Sequence, residues 1–370
     1  MRYFIKLSYD GSAFCGWQLQ PNAVTVQECL ERTLTTLLRE PVQVTGAGRT
    51  DSKVNAIGYV AHFDYDKVID TSAFGYKLNA ILPRGIVIHA MWPVDGDLHA
   101  RFSASRREYT YFLHRTKDPF VETRSYFCPW PLDVKAMNEA AALLLGTHDF
   151  RCFEKSGSDN RTSICTVTEA FWTAYTPDHV AIMGYPAACK PASDDRPEAP
   201  VSPDGGHGAP SSPDDGPESP SSPDGGPESH SSPDDGPESP SSPDGGPLYL
   251  YFRIAADRFL RNMVRALVGS LVDVGRGRRS VSDFAALILP PDFDDVPDSA
   301  QPQASASVPV SSSTAPETTS VSASSSTSAP ETTIVSNGAR RRTAADGTPL
   351  RSLAGESVPG HALFLSRVDY

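Results

Sequence analysis

The chain has 370 residues, enough for two ordinary domains, and a formal net charge of −12. No apolar run approaches the ~18 residues of a membrane span, which argues against a membrane protein. None of the six cysteines forms a C-x-x-C pair, so neither a zinc site nor a redox motif is indicated.

The first residues, Met1-Arg-Tyr-Phe-Ile-Lys, read as a strand rather than a secretory signal, and scattered thiols fit a reducing cytoplasm. The negative charge is concentrated. Residues 186–247 carry 13 acidic and 2 basic side chains, and residues 291–348 carry 7 and 3. Nets of −11 and −4 there leave the rest of the chain at +3, compatible with holding a phosphate backbone.

In chain order, residues 3–10 read as a strand and 11–18 as a glycine-bounded loop. Residues 25–40 read as a helix, with Val26, Leu30, Leu34 and Leu37 or Leu38 on one stripe and a Thr25/Glu28 capping box. Strands are predicted at 42–45, 54–63 and 86–94, with a helix at 71–81. That order fits a ferredoxin-like α+β half over residues 1–105.

A looser second copy follows. Strands are predicted at 109–114, 162–175, 248–254 and 362–368. Helices are predicted at 133–145, capped by Asp133 and stopped by Gly146, at 259–274, stopped by Gly275, and at 282–289. The second half therefore takes 106–185, 248–290 and 349–370. The predicted fold is α+β: two ferredoxin-like or RRM-like halves sharing an extended antiparallel sheet with a central cleft.

Two insertions interrupt it. The segment 186–247 contains an imperfect ten-residue Pro/Gly/Ser/Asp repeat, and 291–348 is rich in Ser, Thr, Pro and Ala. Both are too poor in apolar side chains to offset chain entropy, so both are predicted to be disordered. Arg340-Arg-Arg342 is a charge run of the kind that is usually just solvated.

The chemistry-bearing stretch is Val44-Thr-Gly-Ala-Gly-Arg-Thr-Asp-Ser-Lys-Val-Asn-Ala56. In an extended segment Arg49 and Asp51 project together, with Thr50 on the other side. By itself such an Asp is more often a turn residue or helix cap. The glycines make neither a dinucleotide loop nor a P-loop.

Gly46-Ala-Gly-Arg-Thr-Asp51 resembles the active-site motif of the TruA-type tRNA pseudouridine synthases. Lys53 stands where that family has glycine, and Asn55 where it has histidine. Three further blocks resemble the family in its order. They are Gly16-Trp-Gln18 with Thr25-Val-Gln27, Leu98-His-Ala-Arg-Phe-Ser-Ala-Ser-Arg-Arg-Glu-Tyr-Thr-Tyr111, and Phe259-Leu-Arg-Asn-Met-Val-Arg265. The closing strand, with Leu363, is similar too, although Ala362 replaces the usual glycine.

The resemblance implies an isomerase that turns uridine into pseudouridine at positions 38, 39 and 40 of the tRNA anticodon arm. It implies a homodimer that uses no cofactor and no metal. Asp51 would be the catalytic carboxylate, as nucleophile or as base at the ribose. A guanidinium from Arg265 would stabilise its ionised form. Tyr109, rather than Tyr111 on the same face, would stack on the extruded uracil. Arg49 would hold the gap left by base flipping. Leu363 would wall the base, though an ordinary core leucine is nearly as good a reading.

Arg84, Arg101, Arg106, Arg107, Arg276, Arg278 and Arg279 are candidate phosphate contacts, each equally a solvated charge. Two alternatives remain: a catalytically impaired RNA-binding member of the fold, motivated by Lys53 and Asn55, and a synthase acting on another RNA.

Overall fold

The computed structural model describes residues 1–155, 157–158, 160, 162–184, 245–288 and 350–370. The two predicted insertions, with Arg340-Arg-Arg342, lie almost wholly outside the described residues.

The elements in order are β1 (Arg2–Tyr9), α1 (Val26–Leu38), β2 (Thr45–Gly46), β3 (Asn55–Asp64), α2 (Thr71–Ile81) and β4 (Ile86–Val94). Then come β5 (Arg106–His114), β6 (Tyr126–Phe127), α3 (Val134–Ala142), β7 (Gly146–Asp149), β8 (Ile164–Ala174) and α4 (Asp178–Met183). The chain ends with β9 (Tyr249–Ala256), α5 (Met263–Gly275), α6 (Val281–Ala285), α7 (Leu350–Leu353) and β10 (Leu363–Asp369).

One sheet carries all the described strands, in the order β4-β1-β3-β10-β5-β9-β8-β7, with β2 on β3 and β6 on β5 off that path. The predicted α+β class and shared sheet are present. The sheet is not antiparallel throughout. β10 inserts between β3 and β5, antiparallel to β5 but parallel to β3 over two residue pairs, Phe364↔Asn55 and Leu365↔Ala56. β3 and β5 run in opposite directions, so a strand entering between them is necessarily parallel to one and antiparallel to the other. The short β5–β6 pairing is parallel as well.

Two apolar cores cover the sheet. One gathers Leu7, Leu30, Leu34, Tyr59, Phe63 and Leu78 beneath α1 and α2. The other gathers Tyr111, Phe252, Leu267, Leu271, Phe284 and Leu363 beneath α3 and α5. Tyr109 packs against both.

Thr25 and Asp133 cap their helices as the sequence suggests, with the Thr25 half of the predicted capping box formed, and Asp70 adds a cap the sequence reading did not name. Glu28 N–H donates to Thr25 Oγ1, Ser72 and Ala73 N–H to Asp70, and Ala136 N–H to Asp133.

The differences have local causes. Of the strand predicted at 42–45, only Thr45 enters the sheet, because α1 side chains take the backbone donors. Val42 N–H goes to Thr35 Oγ1 and Val44 N–H to Glu31 Oε1. The helix predicted from 259 begins at Met263, because Asn262 sits in the left-handed region at φ 65°. The helix predicted at 133–145 stops at Ala142, and Gly146, at φ 101°, opens a strand that the sequence reading did not anticipate.

Candidate active site

The loop from Gly46 to Val54 runs between β2 and β3, held mainly by backbone contacts. Gly46 lies against the Tyr59 hydroxyl and the Trp17 ring, where any Cβ would collide. Those two rings stack at 4.2 Å between centroids, and Tyr59 Oη donates to Gly48 O at 2.5 Å. Added Cβ atoms at Gly11, Gly16 and Gly360 would strike the loop backbone at Val54, Thr50 and Ser52. Thr50 is buried, with its hydroxyl 2.8 Å from Tyr9 Oη. Arg49 and Asp51 therefore turn outward, as their spacing predicts.

The two departures from the family motif have distinct settings. Lys53 is exposed and adopts φ 66°, a left-handed conformation that suits the family's glycine and strains a lysine. Asn55 is buried. Its Oδ1 accepts from Gly11 N–H at 2.8 Å, and its Nδ2 donates to His361 O at 2.7 Å. It thus ties β3 to the loop after β1 and to the turn before β10. Sequence reasoning treated Asn55 only as an altered motif position. Its clamp spans 306 residues and leaves no local signal.

The structure brings Asp51, Arg265 and Tyr109 together. Arg265, on the first turn of α5, places Nη1 3.3 Å from Asp51 Oδ2, and its Nε donates to Val358 O at 2.7 Å. The Asp51 and Arg265 side chains are 26% and 23% exposed, so the pair is reachable yet mostly shielded. Tyr109 on β5 is partly buried, its ring edge-on to Phe259 at 5.1 Å. Burial first, and the negative charge of Asp51 second, push its hydroxyl pKa well up, so the phenol stays protonated. Tyr111 is fully buried and donates to Pro359 O at 3.2 Å, which leaves Tyr109 as the ring that a ligand can meet.

Leu363 is 4% exposed and belongs to the core beneath α5, paired across the sheet with Tyr111. Arg49 is exposed and lines a groove of about 170 Å³ with Trp17, Gln18, Gly48 and Arg101.

The other candidate cations divide. Arg106 is occupied by Glu108, Glu169 and Asp369. Arg107 donates to the carbonyls of Ala47, Arg101, Ala104 and Asp257, a structural use. Arg276 lies over the Trp130 ring at 4.5 Å, and Arg279 donates to Leu353 O. Among the described residues no His, Cys, Asp or Glu group is disposed to hold a metal ion, and no helix is long and apolar enough to cross a membrane.

A family described as tRNA pseudouridine synthase matches residues 6–103 and 140–310. The chain belongs to the tRNA pseudouridine synthase family. Members are isomerases, and this protein is one of them. Relatives named tRNA pseudouridine synthase A include one from Bacteroides fragilis, 36% identical over 289 residues, covering 78% of this chain and 86% of the relative. A Porphyromonas gingivalis relative is 37% identical over 289 residues, covering 78% and 87%. A Bacillus licheniformis relative is 32% identical over 293 residues, covering 78% and 90%. The residues matched by the family include both Asp51 and Arg265.

Proposed function

We propose that this tRNA pseudouridine synthase isomerises uridines 38, 39 and 40 of the anticodon arm, as a cytoplasmic homodimer, with Asp51 as its essential carboxylate. The observation that carries the reading is the Asp51–Arg265 pair beside Tyr109, three side chains from distant parts of the chain at one cleft.

The reaction breaks C1′–N1, turns the uracil and forms C1′–C5; C5 loses a proton and N1 gains one, so no atom or electron is gained overall. The work falls to positioned groups. Asp51 acts at the ribose or the base, as nucleophile or as base. Arg265, fixed by Val358 O, holds the carboxylate ionised and aimed. Tyr109, a protonated phenol between the two cores, stacks on the extruded uracil. The target is paired in a stem, so it must leave the helix, and the exposed guanidinium of Arg49 occupies the space it vacates. Leu363 supports this face from within the core.

Lys53 and Asn55 do not favour a decayed site: Asn55 satisfies two buried backbone groups, and Lys53 points away from the core. The test is tritium release from C5-labelled, unmodified tRNA. Asp51→Asn is expected to abolish release while tRNA binding survives. Release at the unsubstituted rate would remove Asp51 from the reaction. Mapping the product sites by mass spectrometry checks the three positions; modification elsewhere would overturn the anticodon assignment.

A further inference from the structure

Phe102 is 77% exposed, an unusual setting for a phenylalanine on a short turn. The turn is rigid. His99 Nδ1 accepts from Arg101 N–H at 3.1 Å and Phe102 N–H at 3.2 Å. His99 N–H donates to Ser103 Oγ at 2.9 Å, and Ser103 N–H returns to His99 O at 2.9 Å. Ala100 is fastened on both sides, its N–H to His62 Nδ1 at 3.1 Å and its carbonyl by Tyr370 Oη at 2.7 Å. The His99 ring braces the Phe102 ring at 4.4 Å. Arg107 donates to Arg101 O and to Ala47 O, which pins this turn to the loop that carries Asp51.

The surroundings are cationic. The Arg101 guanidinium sits 5.6 Å from the Phe102 ring centre and shares the groove with Arg49. Neither has an acidic partner among the described residues. Burial, then the charges of Arg49 and Arg258, lower the Arg101 pKa, as expected where cations crowd together unneutralised. Gly48 leaves the groove open, since a Cβ there would meet nothing within 4 Å. An exposed ring on a hydrogen-bonded turn, flanked by guanidiniums with no acidic partner among the described residues, has the makings of a base-stacking and phosphate-holding platform.

We propose that Phe102, with Arg101 and Arg49, forms a second nucleotide subsite that stacks an unpaired base of the substrate tRNA other than the target uridine. This rests on tRNA being the substrate, as the proposed function has it. The platform is separate from Tyr109, which faces Asp51 from β5.

The test measures tRNA affinity in an Asp51→Asn background, where no turnover intervenes. Phe102→Leu is expected to weaken binding about tenfold, the scale of one lost stack, with an unchanged melting temperature because the ring is exposed. Phe102→Trp should keep the affinity, and its indole emission should fall on saturation with tRNA. Equal affinity for Phe102→Leu and its parent, or unchanged indole emission, would overturn the subsite. Turnover of the same tRNA by the unsubstituted protein is measured in parallel. Its absence would sink the proposed reaction, whereas unchanged affinity alone would sink only the stacking platform.

Discussion

The carboxylate side of the cleft and the guanidinium side are built by different means. Asp51 rides a loop fixed by its backbone, wedged among glycines that admit no Cβ and anchored by Thr50, Tyr59 and Trp17. Arg265 comes from a helix and is fixed by one distant residue, Val358, whose carbonyl accepts from Arg265 Nε and whose N–H donates to Arg265 O. The first arrangement rests chiefly on close packing of the loop backbone. The second depends on the 355–358 segment lying against α5, where Gly269 admits the Glu356 carbonyl. The two sides meet at the two-pair β3–β10 junction, so the site exists only when both are docked.

Loss of Asp51 itself aside, the largest expected effect is on the guanidinium side. Arg265→Ala should lower kcat at least about a hundredfold, the scale of losing one fixed charge partner at a reacting group. Arg265→Lys should recover part of that, because a lysine keeps the charge but cannot serve Val358 O and Asp51 as a fork does. Single-turnover kinetics read this. An unchanged kcat for the alanine variant would leave the α5 side with no part in the chemistry.

Asn55 tests the junction. Asn55→Ala would strand Gly11 N–H and His361 O, costing about 3 kcal/mol in a urea melt. Asn55→His, the residue the family carries, should recover most of it if an imidazole can donate and accept at the same two atoms. A loss under ~0.5 kcal/mol for the alanine would show the junction to be held elsewhere.

Acid should weaken the carboxylate side through His62, on the same strand as Asn55. Burial first, then the charges of Arg2 and His99, lower its pKa to about 4 from 6.5. A folded pKa below the unfolded one means that its contribution is full above pH ~6.5 and shrinks as pH falls towards about 4, by up to about 3 kcal/mol. Melting temperature against pH should fall through that window, and His62→Gln should flatten the fall. A parallel decline in both proteins would assign the acid sensitivity to other groups.

The smallest effect is at Lys53. Lys53→Gly should stabilise the protein by roughly 0.5–1 kcal/mol, by relieving the left-handed backbone at φ 66°. A destabilised variant would mean that the lysine side chain contributes more than the strain removes.

Much of this was legible in the sequence, and unevenly so. Local patterns gave α2 and β4 to the residue, and the outward turn of Arg49 and Asp51 followed from period-2 geometry. The Asp51–Arg265–Tyr109 grouping came from resemblance; spacing alone would not have joined residues 214 positions apart. What stayed hidden depends on contacts across the chain. The parallel β3–β10 junction and the Asn55 clamp pair distant partners, and the diversion of the Val42 and Val44 donors, to α1 side chains 7 and 13 residues away, depends on how that helix packs. Phe102 was passed over because it looked like one more apolar residue in a matched block, and only its exposure sets it apart.

The central claim is that one carboxylate performs the isomerisation. The direct measurement is pseudouridine formed in unmodified tRNA by Asp51→Asn protein, alongside its tRNA affinity and melting temperature. No product, with affinity and melting temperature close to those of the unsubstituted protein, is the expected result. Product formed at an undiminished rate would contradict it.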